Sequence, residues 1–228
     1  MDTRAILGTI RREIKSRVLG KSRYGKHWDV ANNNWYLQLH ESLDLLHKDF
    51  QEYLTNKKDV KTILEVGCGT GIYPIKYKNL FNGMEYTGLD FSKDAIEFCK
   101  KNSSFNFIQG DFIKMELPKK YDLIYSHAVV DHVYDIDAFI TKIAKNCLKY
   151  AYITSYRGYF PELSNHKMEW RDDDGCYYND LSINQVKESL LSSGLQKDEF
   201  NIRSQEGSKK AGTMLQTIIE INKKISKN

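Results

Sequence analysis

The sequence predicts an α/β fold: a mostly parallel, doubly wound sheet that closes on a hairpin. Three observations carry that expectation. From residue 60 onward, short apolar runs alternate with helical stretches. The first apolar run opens directly onto glycines at alternate positions. The chain then ends in two strand candidates with no helix between them, as a closing hairpin requires. The seven strand candidates are 62–66, 85–89, 105–109, 121–126, 149–155, 197–203 and 213–221. Helices fall between the first five, for example 92–101 and 135–147, and a further helix is expected at about 182–193. Ser182 and Gln185 have capping-box spacing at its start, and Gly194 marks its end.

A chain of 228 residues with 41% apolar and 28% charged residues is expected to form one soluble globular domain. No apolar run approaches the roughly 20 residues of a membrane span. The basic N-terminus lacks the apolar segment of a secretory signal. Cys68, Cys99, Cys147 and Cys176 form no C-x-x-C pair, so neither a zinc nor a disulfide framework is expected, and reduced thiols in a cytoplasmic protein are the plain reading. Residues 1–59 read as an N-terminal helical arm or lid packed on a core at 60–228, with an irregular insertion at about 156–181 that is either a lid or binding loop or an ordinary surface excursion. Ile6, Ile10, Ile14 and Val18 recur every four residues among Arg4, Arg11, Arg12, Lys15 and Arg17, which makes an amphipathic basic helix. Its outer face is simply solvated, a patch for an anionic acceptor, or a contact for membrane or nucleic acid. No recognised nucleic-acid motif accompanies it. Asn32 to Leu54 is a second helical stretch.

Residues 62–71 read Thr-Ile-Leu-Glu-Val-Gly-Cys-Gly-Thr-Gly. The apolar run suits a buried parallel strand, and Gly67, Gly69 and Gly71 make a loop that a ligand can approach closely. Ile72 to Leu80 is the expected following helix, with Pro74 in its first turn. The dinucleotide spacing G-x-G-x-x-G fails, because Ile72 stands where the third glycine belongs. No Gly-Lys-Ser/Thr follows, which excludes a Walker loop.

The pattern E-x-G-x-G-x-G resembles the first motif of the class I S-adenosylmethionine (SAM) dependent methyltransferases, of small-molecule type. The resemblance implies a seven-stranded sheet with an antiparallel last strand and an N-terminal helical lid, SAM as cofactor and S-adenosylhomocysteine (SAH) as product. In such a sheet ligands bind at the carboxyl ends of the strands. Asp90 and Phe91 follow the second strand, where an acidic group can accept from two ribose hydroxyls; the alternative is a cap for the helix opening near Ser92. Gly110-Asp111-Phe112, after the third strand, is similar to the family's adenine-binding turn, although Gly-Asp is also a common turn pair. Ser126 and His127 would lie along the methionine part. The implied cofactor set is therefore Glu65, Gly67, Gly69, Gly71, Asp90, Phe91, Asp111, Phe112 and Ser126.

Methyl transfer to oxygen benefits from a general base, and histidine suits neutral pH. His127 and His132 are the candidates, and His132 also has a structural reading, as a histidine bonding to backbone. Tyr24, Trp28, Tyr156, Arg157 and Tyr178 are the expected substrate-binding residues, with Arg23 beside Tyr24 as a further lid candidate. No metal site is expected. The acceptor is read as a small molecule, anionic and sugar-like, with O-methylation first. N-methylation of an amine, an RNA or protein methyltransferase, and a SAM-binding protein without catalysis remain as alternatives. Nucleic acid is not an expected partner, and the sequence sets no oligomeric state.

Overall fold

The computed structural model describes residues 24, 25, 28, 48–172, 174–206 and 215–224. The basic helix, Arg23 and most of the second helical stretch lie outside these residues. A helix α1 (Lys48–Thr55) precedes the alternating part: β1 (Thr62–Val66), α2 (Ile72–Lys76), β2 (Glu85–Asp90), α3 (Lys93–Asn102), β3 (Asn106–Gln109), β4 (Tyr121–His127), α4 (Ile136–Asn146) and β5 (Cys147–Ser155). Then come β6 (Lys167–Arg171), β7 (Cys176–Asp180), α5 (Ile183–Ser192), β8 (Phe200–Glu206) and β9 (Leu215–Asn222).

Seven strands form one sheet in the order β3-β2-β1-β4-β5-β9-β8. Pairs from β3 to β5 are parallel, and β9 runs antiparallel to both neighbours. The expected fold is therefore present. Strand order reverses between β1 and β4, which opens a crevice at their carboxyl ends.

Because successive strand residues face opposite sides, each central strand feeds two cores. Leu64, Val66, Ile124, Ala151 and Ile153 join the cluster under α4 and α5. Ile63, Leu123, Tyr125 and Tyr152 join the cluster on the other face, with Phe50 and Leu54 of α1. There Phe50 stacks on Tyr125 at 3.6 Å between centroids. Capping follows the sequence signals: Ser92, Asp135 and Ser182 each accept a backbone N–H at a helix start.

Two local expectations are corrected. The helix expected over Ile72 to Leu80 is a short α-helix followed by a 3-10 turn at Lys78–Phe81. The insertion after β5 is not irregular throughout, since β6 and β7 pair as an antiparallel hairpin. Asp174-Gly175 lies at its turn, with Gly175 at φ 61 and its N–H donating to the Arg171 carbonyl at 2.9 Å. An Asp-Gly pair between Trp170 and Tyr177-Tyr178 is a hairpin signal the sequence carried.

Candidate active site

The loop after β1 is shaped by contacts that only glycine allows. Gly67 has φ 73, and a Cβ there would stand 2.2 Å from Val129 Cγ2. The loop after β4 therefore closes directly onto the glycine loop. Gly69 has φ 50 and nothing within 4 Å of its missing Cβ, so its bare backbone faces open space. Gly71, the residue before α2, sits behind the loop against Cys99. The N–H groups of Gly67 and Cys68 both donate to the Leu89 carbonyl, at 2.7 and 3.0 Å, and lock the loop to the end of β2.

Asp90 ends β2 beside this loop. Its Oδ2 accepts from Gly69 N–H at 2.9 Å and its Oδ1 from Ser92 N–H at 2.8 Å. Ser92, not Asp90, caps α3, through a bond from Ala95 N–H. Asp90 thus stands at the crevice, oriented by backbone donors.

A cavity of about 270 Å³ occupies the crevice. Gly67, Gly69, Asp90 and Phe91 line one end, Asp111 and Phe112 the side, and His127, His132 and Tyr156 the other end. Tyr24 and Trp28 close over it. The Tyr24 ring lies 5.8 Å from Phe91 and 5.2 Å from Tyr134, and Trp28 lies 5.8 Å from Phe91 and 5.5 Å from His132. This cover is tied down at both sides, by Ser92 Oγ donating to the Trp28 carbonyl and by Gly25 N–H donating to the Gly175 carbonyl of the hairpin.

Asp111 accepts from the Tyr134 hydroxyl at 2.9 Å and from Ile113 N–H at 3.0 Å. Phe112 lines the cavity but is also core, packed edge-on to Phe139 at 5.4 Å. Three residues of the expected cofactor set do not line the cavity: Gly71, behind the loop against Cys99, and Ser126 and Glu65, behind the strand ends. Ser126 is fully buried and donates to the Val66 carbonyl at 3.0 Å, joining β4 to β1 where the strand order reverses. Glu65 is buried and accepts from the Tyr86 hydroxyl. Burial pushes its carboxyl up to about 8, although the Tyr86 bond opposes the shift.

At the far end, Ala128 adopts φ 57, a left-handed conformation uncommon outside glycine. Its N–H donates to the Thr154 carbonyl at 3.0 Å, and the kink turns both His127 and Val129 onto the cavity. His127 Nδ1 is 2.6 Å from the Thr154 hydroxyl. Burial lowers its pKa to about 4, so His127 is neutral at pH 7 and a weak base. His132 is held at both ring nitrogens, Nδ1 2.8 Å from the Tyr177 carbonyl oxygen and Nε2 3.1 Å from the Tyr156 hydroxyl.

Beneath His132, the buried Asp131 carboxylate accepts from the Ser155 hydroxyl at 2.6 Å and from Arg157 N–H at 3.2 Å. Burial raises it to about 7 against these bonds. Arg157 does not reach the cavity. Its guanidinium pairs with Asp180 at 3.0 Å and lies over the Tyr178 ring at 5.2 Å. Tyr178 itself packs edge-on to His132 at 5.1 Å, one layer out from the lining. Sequence reasoning did not single out Val129, Thr154, Tyr134 or Asn179 for the site. Asn179 was readable only as part of Tyr177-Tyr178-Asn179 in the insertion, and its loop contacts come from folding.

Comparison with known proteins bears on the family and the fold. Residues 57–217 match the family model described as a methyltransferase domain. The chain is 40% identical over 80 residues to malonyl-[acyl-carrier protein] O-methyltransferase 2 of Ilyobacter polytropus, covering 33% of this chain and 31% of that protein. It is 30% identical over 131 residues to pavine N-methyltransferase of Thalictrum flavum, covering 53% of this chain and 35% of that one. The chain spans about a third of the length of these curated relatives. Magnesium protoporphyrin IX methyltransferase of Synechocystis, solved with bound SAH, superposes with a TM-score of 0.56 at 15% identity, over 95% of this chain and 100% of that one. The chain belongs to the methyltransferase-domain family, and its fold is that of the class I SAM-dependent enzymes.

Proposed function

We propose that this chain transfers a methyl group from SAM to the oxygen of a small acceptor bound at the His132 end of the cavity. The observation that carries the reading is the pairing of Gly69 and Asp90 on one wall: bare backbone against open space, next to a carboxylate oriented by two N–H groups. A carboxylate so placed can accept from the two hydroxyls of a ribose. Phe91 and Phe112 offer apolar surface, and Asp111 an acceptor, for an adenine amine.

Bound SAM would supply an activated methyl on a sulfonium. The residues of this chain then align and deprotonate. Trp28, Tyr156 and Val129 shape the acceptor end and, with Tyr24 above, exclude water. His132 is the better base of the two histidines. Its Nε2 meets a hydroxyl at the cavity, whereas buried His127 is held far below neutrality.

An anionic group on the acceptor finds its support in the basic N-terminal arm. Arg157 is already neutralised by Asp180, so such a group would sit outside the aromatic end of the cavity. N-methylation is the second reading, favoured by the likeness to pavine N-methyltransferase. Labelled-methyl transfer from SAM, offered to small-molecule, RNA and protein fractions, tests the proposal. Label in the small-molecule fraction is expected. Label only in RNA or protein, or in none, contradicts it.

A further inference from the structure

The β6–β7 hairpin reaches the candidate base through a backbone atom. The Tyr177 carbonyl oxygen lies 2.8 Å from His132 Nδ1. A carbonyl oxygen only accepts, so Nδ1 carries the hydrogen. In the neutral ring Nε2 is then an acceptor, and the Tyr156 hydroxyl stands 3.1 Å from it as donor. Burial raises the pKa of the Tyr156 hydroxyl, which keeps its proton at rest. Neutral imidazole in water favours the opposite form, with hydrogen on Nε2. The protein therefore holds His132 in the less favoured tautomer.

The hairpin is locked to the histidine's own loop by one fully buried residue, Asn179, through its backbone and its side chain. Asn179 N–H donates to the Asp131 carbonyl at 2.8 Å. Its side-chain nitrogen donates to the Val130 carbonyl at 2.9 Å and to the Val133 carbonyl at 2.8 Å. These carbonyls bracket His132 in the chain. On the other side, Asp131 ties the loop to Ser155 and Arg157, and so to the end of β5 that presents Tyr156. The segment 130–133 is thus clamped between the strand that brings Tyr156 and the strand that brings the Tyr177 carbonyl.

We propose that Asn179 is a positioning residue: by fastening the β6–β7 hairpin to the 130–133 loop, it fixes His132 as the Nδ1–H imidazole with Nε2 accepting from Tyr156. The inference rests on the reading of His132 as the base, and it makes the Tyr156 hydroxyl a proton relay. The acceptor's O–H proton passes to the Tyr156 oxygen while the tyrosine's own proton passes to His132 Nε2. The O–CH₃ bond forms as the S–CH₃ bond breaks, and the sulfur keeps the bonding pair as a neutral thioether. The positive charge lost from sulfur reappears on the imidazolium, so the site's net charge does not change.

Long-range ¹H–¹⁵N spectra of the full chain, labelled at histidine and saturated with SAH at alkaline pH, test this. His132 is assigned by its loss in His132→Asn. A neutral ring protonated at Nδ1 is expected, and one protonated at Nε2 overturns the proposal. In Asn179→Ala the His132 signal is expected to move toward the Nε2–H form. The kcat should fall about 10- to 100-fold while the KM for SAM stays within about twofold. An unchanged signal and kcat would remove Asn179 from this role. Tyr156→Phe keeps the carbonyl contact and provides a second test that does not depend on Asn179→Ala folding. It should keep the Nδ1–H signature yet lose about tenfold or more in kcat, and full kcat overturns the relay. Should the base reading itself fail, His132→Asn would retain turnover, while the wild-type spectrum would still report the tautomer.

Discussion

The two ends of the cavity are built in opposite ways. The donor end is local: a glycine loop and an aspartate at the ends of adjacent parallel strands, joined by bonds from Gly67, Cys68 and Gly69 to Leu89 and Asp90. The acceptor end is assembled from distant pieces, with His132 from the loop after β4, Tyr156 from the end of β5, Tyr177 from a hairpin and Trp28 from the N-terminal segment. Each end also has one buried carboxylate behind it. Glu65 stands behind the donor loop against Tyr86, and Asp131 behind the acceptor loop against Ser155 and two backbone N–H groups. A local site is specified by spacing. An assembled site is specified by packing, and can change its acceptor without disturbing its donor.

Substitution should separate the two ends. His132→Asn is expected to lower kcat by about 10²- to 10⁴-fold with SAH affinity unchanged, measured by single-turnover kinetics and calorimetry. Equal losses in both would make the histidine part of the donor site. Gly67→Ala should damage both ends together, because its methyl group would meet Val129 at 2.2 Å in a left-handed backbone. A drop of about 2 kcal/mol or more in denaturant stability, with weaker SAH binding, is the expected result. Trp28→Ala should act more gently, raising the acceptor's KM by about three- to tenfold, since it opens the cover at His132 and leaves Asp90 intact.

A further effect, read over the single unit from pH 7 to 8, is on the pH dependence of stability. Folded Glu65 titrates at about 8 and the unfolded carboxyl near about 4.3, so between these values the folded state binds a proton that the unfolded state has lost. Stability therefore falls as pH rises through that window, by up to about 1.4 kcal/mol per unit. Asp131 has the same sign but is complete by about 7. The remaining fall between about pH 7 and 8 should vanish in Glu65→Gln, followed by the urea midpoint. A fall that persists would mean that another group carries it.

The same contrast explains what the sequence disclosed. The mostly parallel sheet follows from alternation, and the donor wall from Gly67, Gly69 and Asp90, because strand ends in a parallel sheet converge by topology. Asp90 and Ser92 show how neighbouring roles are divided: Asp90 had a capping alternative, and the Ser92 hydroxyl took the cap while the carboxylate took the loop. Glu65 and Ser126 sit at strand ends too, yet their side chains point behind the cavity, where pairing register and not spacing decides. At the acceptor end, Arg157 looked available to a ligand in sequence, but Asp180 lies beside it in the fold. The hairpin had its Asp-Gly signal, whereas the contact from Tyr177 to His132 joins residues far apart in the chain and no local pattern encodes it.

The central claim is that the glycine loop and Asp90 form a SAM site, and calorimetric titration of SAH into the wild type and Asp90→Ala tests it most directly. Loss of two hydroxyl bonds to a carboxylate, at about 1.5 kcal/mol each, predicts binding weaker by at least about 100-fold in the variant. Equal affinity in the two proteins, or no SAH binding by the wild type, would contradict the account.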